Sequence, residues 1–154
     1  MIKYTLCDLI APPEVIKKYV TKTKEPMNDS NKSEWAPYYF DLNKIIKSNQ
    51  KLQKRTAKAN SNMRIWGTHE NVIKSGYVPG SDSVSFWCNH QCPDIAIKKI
   101  FDDNPGVDIR FYWFDEKDDK EHYYIRDMKL GKILIKNGKG KLKARKSADM
   151  RGES

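Results

Sequence analysis

Cysteine is scarce in this sequence: three among 154 residues, an odd number. A mini-fold built on disulfides needs several pairs, so that class is excluded, and a reducing cytoplasm is the expected setting. No apolar run approaches the ~18 residues that a membrane-spanning helix requires. The opening Met1-Ile2-Lys3-Tyr4-Thr5-Leu6 lacks the basic-then-apolar order of a signal peptide. Catalytic signatures are missing as well: there is no nucleophile elbow, P-loop, HExxH or GxGxxG. The glycines Gly67, Gly76, Gly80, Gly106 and Gly131 stand apart, and none sits in a phosphate cradle. The expectation is a protein without catalytic residues, cofactor or membrane association.

Aromatic residues are plentiful, with 4 Trp, 8 Tyr and 5 Phe, so a compact core is expected although only 38% of residues are hydrophobic. The length suits one domain, or one domain with a tail. The predicted division is a domain over residues 1–136 and a basic, flexible tail over 137–154, with an insert at 24–65.

Charge is the most informative property. The net charge is +9, and its distribution is uneven. Residues 42–69 carry Lys44, Lys47, Lys51, Lys54, Arg55, Lys58 and Arg64 with no acid at all. Residues 102–121 hold eight acids against Arg110, Lys117 and Lys120. The stretch 136–154 includes Lys141, Lys143, Arg145 and Lys146 and is strongly basic again. Such polarity points to a nucleic acid or an acidic protein as partner.

Hydropathy patterning predicts the elements. Residues 2–10 read as a strand, and Pro12, Pro13 and Glu14 open a helix whose apolar stripe is Val15, Ile16, Tyr19 and Val20. The polar stretch 24–33 reads as a loop, and 38–46 as a short strand or extended arm. A helix is predicted over 48–61, capped by Ser48, with Lys47, Lys51, Lys54, Arg55 and Lys58 aligned on one face. Residues 70–77 and 83–88 should pair across a turn at Pro79-Gly80. Pro93 and Asp94 start another helix, with Ile95, Ile97, Ile100 and Phe101 on its apolar face and Asn104, Pro105 and Gly106 as its stop. In residues 107–114 the alternation puts Val107, Ile109, Phe111 and Trp113 on one face. A last hairpin is expected over 121–126 and 131–136. The order βαββαβ plus a hairpin predicts an α+β, ferredoxin-like sheet with two helices on one face.

Four strings occur in a consistent order: Phe40-Asp41-Leu42-Asn43-Lys44-Ile45-Ile46, Trp66-Gly67-Thr68-His69-Glu70-Asn71, Phe86-Trp87-Cys88-Asn89-His90-Gln91-Cys92-Pro93, and Phe111-Tyr112-Trp113-Phe114-Asp115-Glu116. On these the chain resembles the YubB-like ferredoxin-like domain family of unknown function, carried by phages, plasmids and pathogenicity islands. Glu70 replaces that family's second Trp, and Cys88, His90 and Cys92 depart from its strand-to-helix turn. The resemblance implies the fold and a mobile-element setting, possessing no established activity to transfer.

Each candidate site competes with a plainer reading. Cys88, His90 and Cys92, with His69 or Cys7 as fourth ligand, could hold zinc, but one-residue gaps make a poor tetrahedral chelate, and two half-buried thiols beside a surface imidazole are expected instead. A Cys–His nucleophile or a His69/Glu70 acid–base pair has no supporting motif. Asp102-Asp103 and Asp118-Asp119 suit a helix end and a hairpin turn better than Mg²⁺. Trp66 reads as a buried lock on the insert, with Gly67 permitting a bend. The aromatic strand 111–114 suggests an RNA-recognition sheet, but the RNP1 string is missing. The strongest binding signal is the basic set Lys47, Lys51, Lys54, Arg55, Lys58 and Arg64 with Lys141, Lys143, Arg145 and Lys146 in the tail. The predicted function is a non-enzymatic mobile-element accessory protein that binds nucleic acid or a nucleic-acid-handling host complex, acting in counter-defence. The alternative is an inhibitor of a host enzyme without nucleic-acid affinity.

Overall fold

The computed structural model describes residues 4–23, 37–89, 91–116 and 120–136, the last five by backbone alone. The predicted loop 24–33, His90, the Asp118-Asp119 pair and the tail 137–154 lie outside the described residues.

Alternation builds the sheet. In Tyr4–Ile10 (β1), Thr5, Cys7 and Leu9 are buried and the residues between them half-buried. Strand Ser83–Asn89 (β5) runs antiparallel to it on one side, with Cys7 opposite Phe86 and Leu9 opposite Val84. Strand Ile109–Asp115 (β6) runs antiparallel on the other, with Cys7 opposite Trp113 and Leu9 opposite Phe111. Lys74–Gly76 (β4) flanks β5, while Lys120–Asp127 (β7) and Lys132–Lys136 (β8) extend the sheet beyond β6. The order is β4-β5-β1-β6-β7-β8, antiparallel at every step.

One face of this sheet carries Cys7, Leu9, Phe86, Ile109, Phe111 and Trp113 and shares a core with helical residues. Phe86 stacks between Phe40 and Phe111, with ring centroids 4.3 Å and 6.2 Å away. Helix Asp94–Asp103 (α3) contributes Ala96, Ile97 and Ile100, all fully buried. Its expected apolar face shifts by one position: Ile95 is 40% exposed, because Ala96 rather than Ile95 continues the stripe toward Ile100 at the i, i+4 spacing. Beyond its C-terminus, the Arg126 guanidinium donates to the carbonyls of Phe101 (2.8 Å), Val107 (2.9 Å) and Asn104. The bonds to Phe101 and Asn104 satisfy acceptors that a helix end leaves open.

The helix expected from Pro12 onward is short. Pro13–Ile16 (α1) continues as a 3₁₀ turn, Lys17–Tyr19, and Val20 already belongs to an extended strand, Val20–Lys22 (β2). That strand pairs with Tyr38–Phe40 (β3), and a Tyr38–Tyr77 bridge joins this ribbon to the end of β4. The largest correction concerns the basic helix. It runs over Arg55–Trp66 (α2), not 48–61, and Lys47, Lys51 and Lys54 precede its first turn. The side chains there bond to local backbone and to α2 instead of supporting a helix. Asn49 Oδ1 accepts the Lys51 amide at 2.9 Å, Asn43 Oδ1 accepts the Ser48 amide at 2.9 Å, and Ser48 Oγ bonds Asn62 Oδ1 at 2.7 Å. Short polar side chains that bond nearby backbone compete with helix formation in this way.

The architecture is thus α+β, with helices packed on one face of an antiparallel sheet. The helix started by Pro93-Asp94, the inward set Ile109, Phe111 and Trp113, and the hairpin β7–β8 are where the sequence patterning puts them; the β4–β5 pairing is also present, but β4 spans only Lys74–Gly76 and not the expected 70–77. Val107 lies just before β6 and packs against the same core.

Candidate nucleic-acid interface

Asp41 starts the site. Its carboxylate accepts Thr21 Oγ1 at 2.5 Å, the Asn43 amide at 3.0 Å and Asn71 Nδ2 at 2.8 Å. Asn71 Oδ1 in turn accepts the amides of Leu42 and Val72 at 3.0 and 2.8 Å. Asn62, buried on α2, donates to the His69 carbonyl at 2.8 Å while its Oδ1 accepts Ser48 Oγ. Buried polar groups need such partners, and here the partners tie three separate chain segments together: the turn at 41–48, α2 and the turn at 69–71.

Two aromatic and backbone features complete the frame. Trp66 is 2% exposed, and its indole Nε1 donates to the Ile46 carbonyl at 2.7 Å. Gly67 ends α2 at φ +87°, where a Cβ would stand 2.5 Å from Asp94 Oδ1 and 3.1 Å from the Asp94 amide nitrogen. The expected roles of Trp66 as a lock and Gly67 as a bend are therefore met. Gly67 adds a close approach to the start of α3, which spacing alone does not reveal.

Between these segments lies an open polar cleft of about 800 Å³. Arg55, Thr56, Lys58 and Asn60 line one wall, and Gln50, His69 and Glu70 the others. Arg55 and Lys58 stand on successive turns of α2 and are exposed. Lys51 and Lys54 are exposed just before the helix in the chain, and Lys47 is exposed within the 41–48 turn. Arg64, one turn beyond Asn60 on α2, is exposed and is not among the residues lining the cleft. Of the six basic positions predicted in this region, Arg55 and Lys58 share one concavity. Lys51 and Lys54 precede α2 in the chain and are not among the residues lining the cleft, and the common helical stripe does not exist. The tail residues Lys141, Lys143, Arg145 and Lys146 lie outside the described residues.

The contributors missed by the sequence reading are amides. Asn43, Asn49, Asn60, Asn62 and Asn71 fall within thirty residues, and that density was the available signal. Glu70 accepts a hydrogen bond from Asn89 Nδ2 and is exposed with His69 at the rim. Asp103 pairs with Lys99 at 3.0 Å on the last turns of α3, and Asp102 is exposed beside it.

The cysteines behave as interior groups. Cys7 and Cys88 are buried and Cys92 is intermediate. Burial pushes the Cys7 thiol well up, and it also raises Cys92. Cys88 is raised well above its usual value by its hydrogen bond with Cys7 and then by burial. Protonated thiols are poor nucleophiles. Among the described residues no group of three or more His, Cys, Asp or Glu is arranged to hold a metal ion.

The face of the sheet turned away from α3 is different. A groove of about 250 Å³ there is lined by Asp8, Trp87, Tyr112, Phe114 and Glu121 among others. Phe111 and Trp113 thus point into the core while Tyr112 and Phe114 take the other face, as the alternation predicts. Trp87 has the Lys74 ammonium 4.5 Å from its ring centroid and the Tyr4 ring at 5.4 Å.

No helix among the described residues is long and apolar enough to cross a membrane. Comparison with protein-family models, curated proteins and solved structures finds no match to the chain.

Proposed function

We propose that this chain is a nucleic-acid-binding module that engages phosphates at the mouth of the α2 cleft. The observation that carries the reading is the convergence of Arg55 and Lys58 on one polar concavity whose one lining acid among the described residues, Glu70, accepts a hydrogen bond from Asn89, in a stretch without an acid from residue 42 to 69 that also holds Lys51 and Lys54. Exposed cations around a preorganised polar cleft are what a phosphate backbone meets in most protein–nucleic-acid contacts. The amide network holds the wall in place. The two cations are not engaged in any of the ion pairs found among the described residues. The tail cations Lys141, Lys143, Arg145 and Lys146 are assigned to the same role by sequence charge.

The reading includes a ferredoxin-like assignment, supported by the antiparallel order β4-β5-β1-β6 with a helix between β5 and β6. It also includes the mobile-element setting and the host cytoplasm, supported by the four motif strings and by cysteine usage. The role within that setting is non-enzymatic, in counter-defence.

The test is a pull-down from host lysate with and without nuclease, run on wild type and on the Arg55→Glu/Lys58→Glu variant. Recovery that nuclease abolishes and the charge reversal weakens supports the reading. A discrete, nuclease-resistant protein partner held equally by both forms would replace it with the inhibitor alternative.

A further inference from the structure

Resting on the nucleic-acid reading, we infer that residues 139–145 add a strand to the open edge of β8 when the protein meets a phosphate backbone, and that this strand offers Lys139, Lys141, Lys143 and Arg145 to it as one cationic row. β8 stands last in the sheet order, and among the described residues it pairs with β7 alone. An edge strand presents a row of unpaired amides and carbonyls, which is a template for a further strand. β8 ends at Lys136, and the next two residues are Asn137 and Gly138. Asn-Gly suits a two-residue hairpin turn, because both central positions of that turn need positive φ. The chain is thus set to reverse where β8 stops and to return along its open side.

The returning segment has the period of a strand. Lys139, Lys141, Lys143 and Arg145 alternate with Gly140, Leu142 and Ala144. Successive strand residues stand on opposite faces, so this order puts the four cations on one face at a repeat of about 6.8 Å. A turn at 137–138 sets Lys139 opposite Lys136, Lys141 opposite Leu134, Leu142 opposite Ile133 and Lys143 opposite Lys132. In β8, Ile133 is opposite Arg126, while Leu134 and Lys136 are opposite Ile125 and Tyr123. Leu142 therefore joins the register row of Arg126, whose guanidinium reaches the end of α3. The cations join the rows of Tyr123 and Ile125, on the other face of the sheet.

The same register opposes the strand until an anion arrives. Lys136 against Lys139 and Lys132 against Lys143 are like charges directly opposite, which destabilises pairing, and Gly140 weakens a strand interior. Phosphates laid along the row relieve that repulsion, while bonding to β8 holds the cations at regular spacing. Ordering of the segment and binding of the backbone are thereby coupled. The row is also distinct from the cleft. Glu70 and Asn71 of the cleft lie just before β4 in the chain, and β4 and β8 are the two opposite edges of the sheet. Five strand-to-strand steps, about 24 Å, separate those edges.

The test is amide hydrogen exchange of full-length protein, read residue by residue by NMR, free and saturated with a duplex DNA oligonucleotide. In the hairpin the Lys139 amide donates to the Lys136 carbonyl across the turn, and bonding to β8 recurs at every second residue. DNA should therefore slow exchange at Lys139, Lys141 and Lys143 by at least about ten-fold and leave Gly140, Leu142 and Ala144 fast. Uniform protection, no protection, or protection already complete without DNA, in a protein that binds the duplex, overturns this inference and leaves the nucleic-acid reading standing. The exchange Leu142→Lys/Lys143→Leu keeps the charge and breaks the alternation. It should flatten the log–log salt slope of duplex binding by about 0.9, the loss of one phosphate contact. An unchanged slope also overturns the inference, because a tail acting by charge alone is indifferent to the order of its residues. Failure of the wild type to bind the duplex at low salt overturns both.

Discussion

The indole nitrogen of Trp66 donates to the carbonyl of Ile46 across 2.7 Å, joining the last residue of α2 to the turn twenty residues earlier in the chain. This bond ties α2 to the 41–48 turn, whose Asn43 and Ser48 line the basic cleft together with Trp66. Trp66→Phe keeps most of the ring volume but removes the donor and leaves a carbonyl unpaired, at a cost of about 1–3 kcal/mol. Denaturant unfolding should show that loss, and duplex affinity should fall with it. Unchanged stability would mean that the bond contributes nothing to the frame.

Gly67 and Gly80 form a matched pair of substitutions. Both have positive φ, +87° and +92°. Alanine at either position meets the steric cost of a left-handed backbone, on the order of 1–3 kcal/mol. At Gly80 a Cβ has nothing within 4 Å, whereas at Gly67 it collides with Asp94. Gly67→Ala should therefore destabilise clearly more than Gly80→Ala in parallel thermal melts. Equal effects would show that α2 and α3 do not approach as closely as described.

Phe111 is fully buried and touches the rings of Phe86, Trp113 and Tyr124. Phe111→Ala should cost about 3–5 kcal/mol, the usual range for emptying a core aromatic site. A loss below about 1 kcal/mol would put that face of β6 in solvent, since surface changes are small.

The regular elements were legible because their signals are local. Alternation in β1 and β6 needs only neighbours two apart, and Pro93-Asp94 marks a helix start by its own chemistry. The start of α2 was not legible. Ser48 looks like a good cap for a helix at 48, but its side chain bonds Asn62. Nothing in a window around residue 48 reveals a partner on the helix itself. The cleft was half visible for the same reason: the basic run is written in the sequence, whereas the pairing of Asn71 with Asp41 and of Asn62 with Ser48 is tertiary.

Buried thiols and Tyr124 predict a pH dependence. Burial raises Cys7 above the ordinary thiol value of 9.0. Tyr124 is pushed up from 10.0 to about 12, first by burial and then by Asp94 and Cys92. A group that ionises later in the folded than in the unfolded state contributes stability that is fully present below its unfolded value and is lost as pH rises toward the folded one. Unfolding free energy should hold up to about pH 9 and fall steadily above it, through the range toward pH 12, in denaturant titrations at stepped pH. Native Cys7 and Cys88 should also react with a thiol reagent far more slowly than in the unfolded chain, because the thiolate is the reactive form. A flat profile together with fast native labelling would contradict the buried placement.

The most direct measurement of the central claim is the salt dependence of duplex binding. The two cations lining the cleft, Arg55 and Lys58, give an expected log–log slope of about −1.8 if each meets one phosphate of B-DNA, and steeper if Lys51, Lys54 or the tail joins them. Reversing Arg55 and Lys58 should flatten the slope by about 1.8. Arg64→Glu, at a position that does not line the cleft, should change it less than the double reversal. A wild-type slope near zero, or an Arg64→Glu effect equal to the double reversal, would contradict phosphate binding at this cleft.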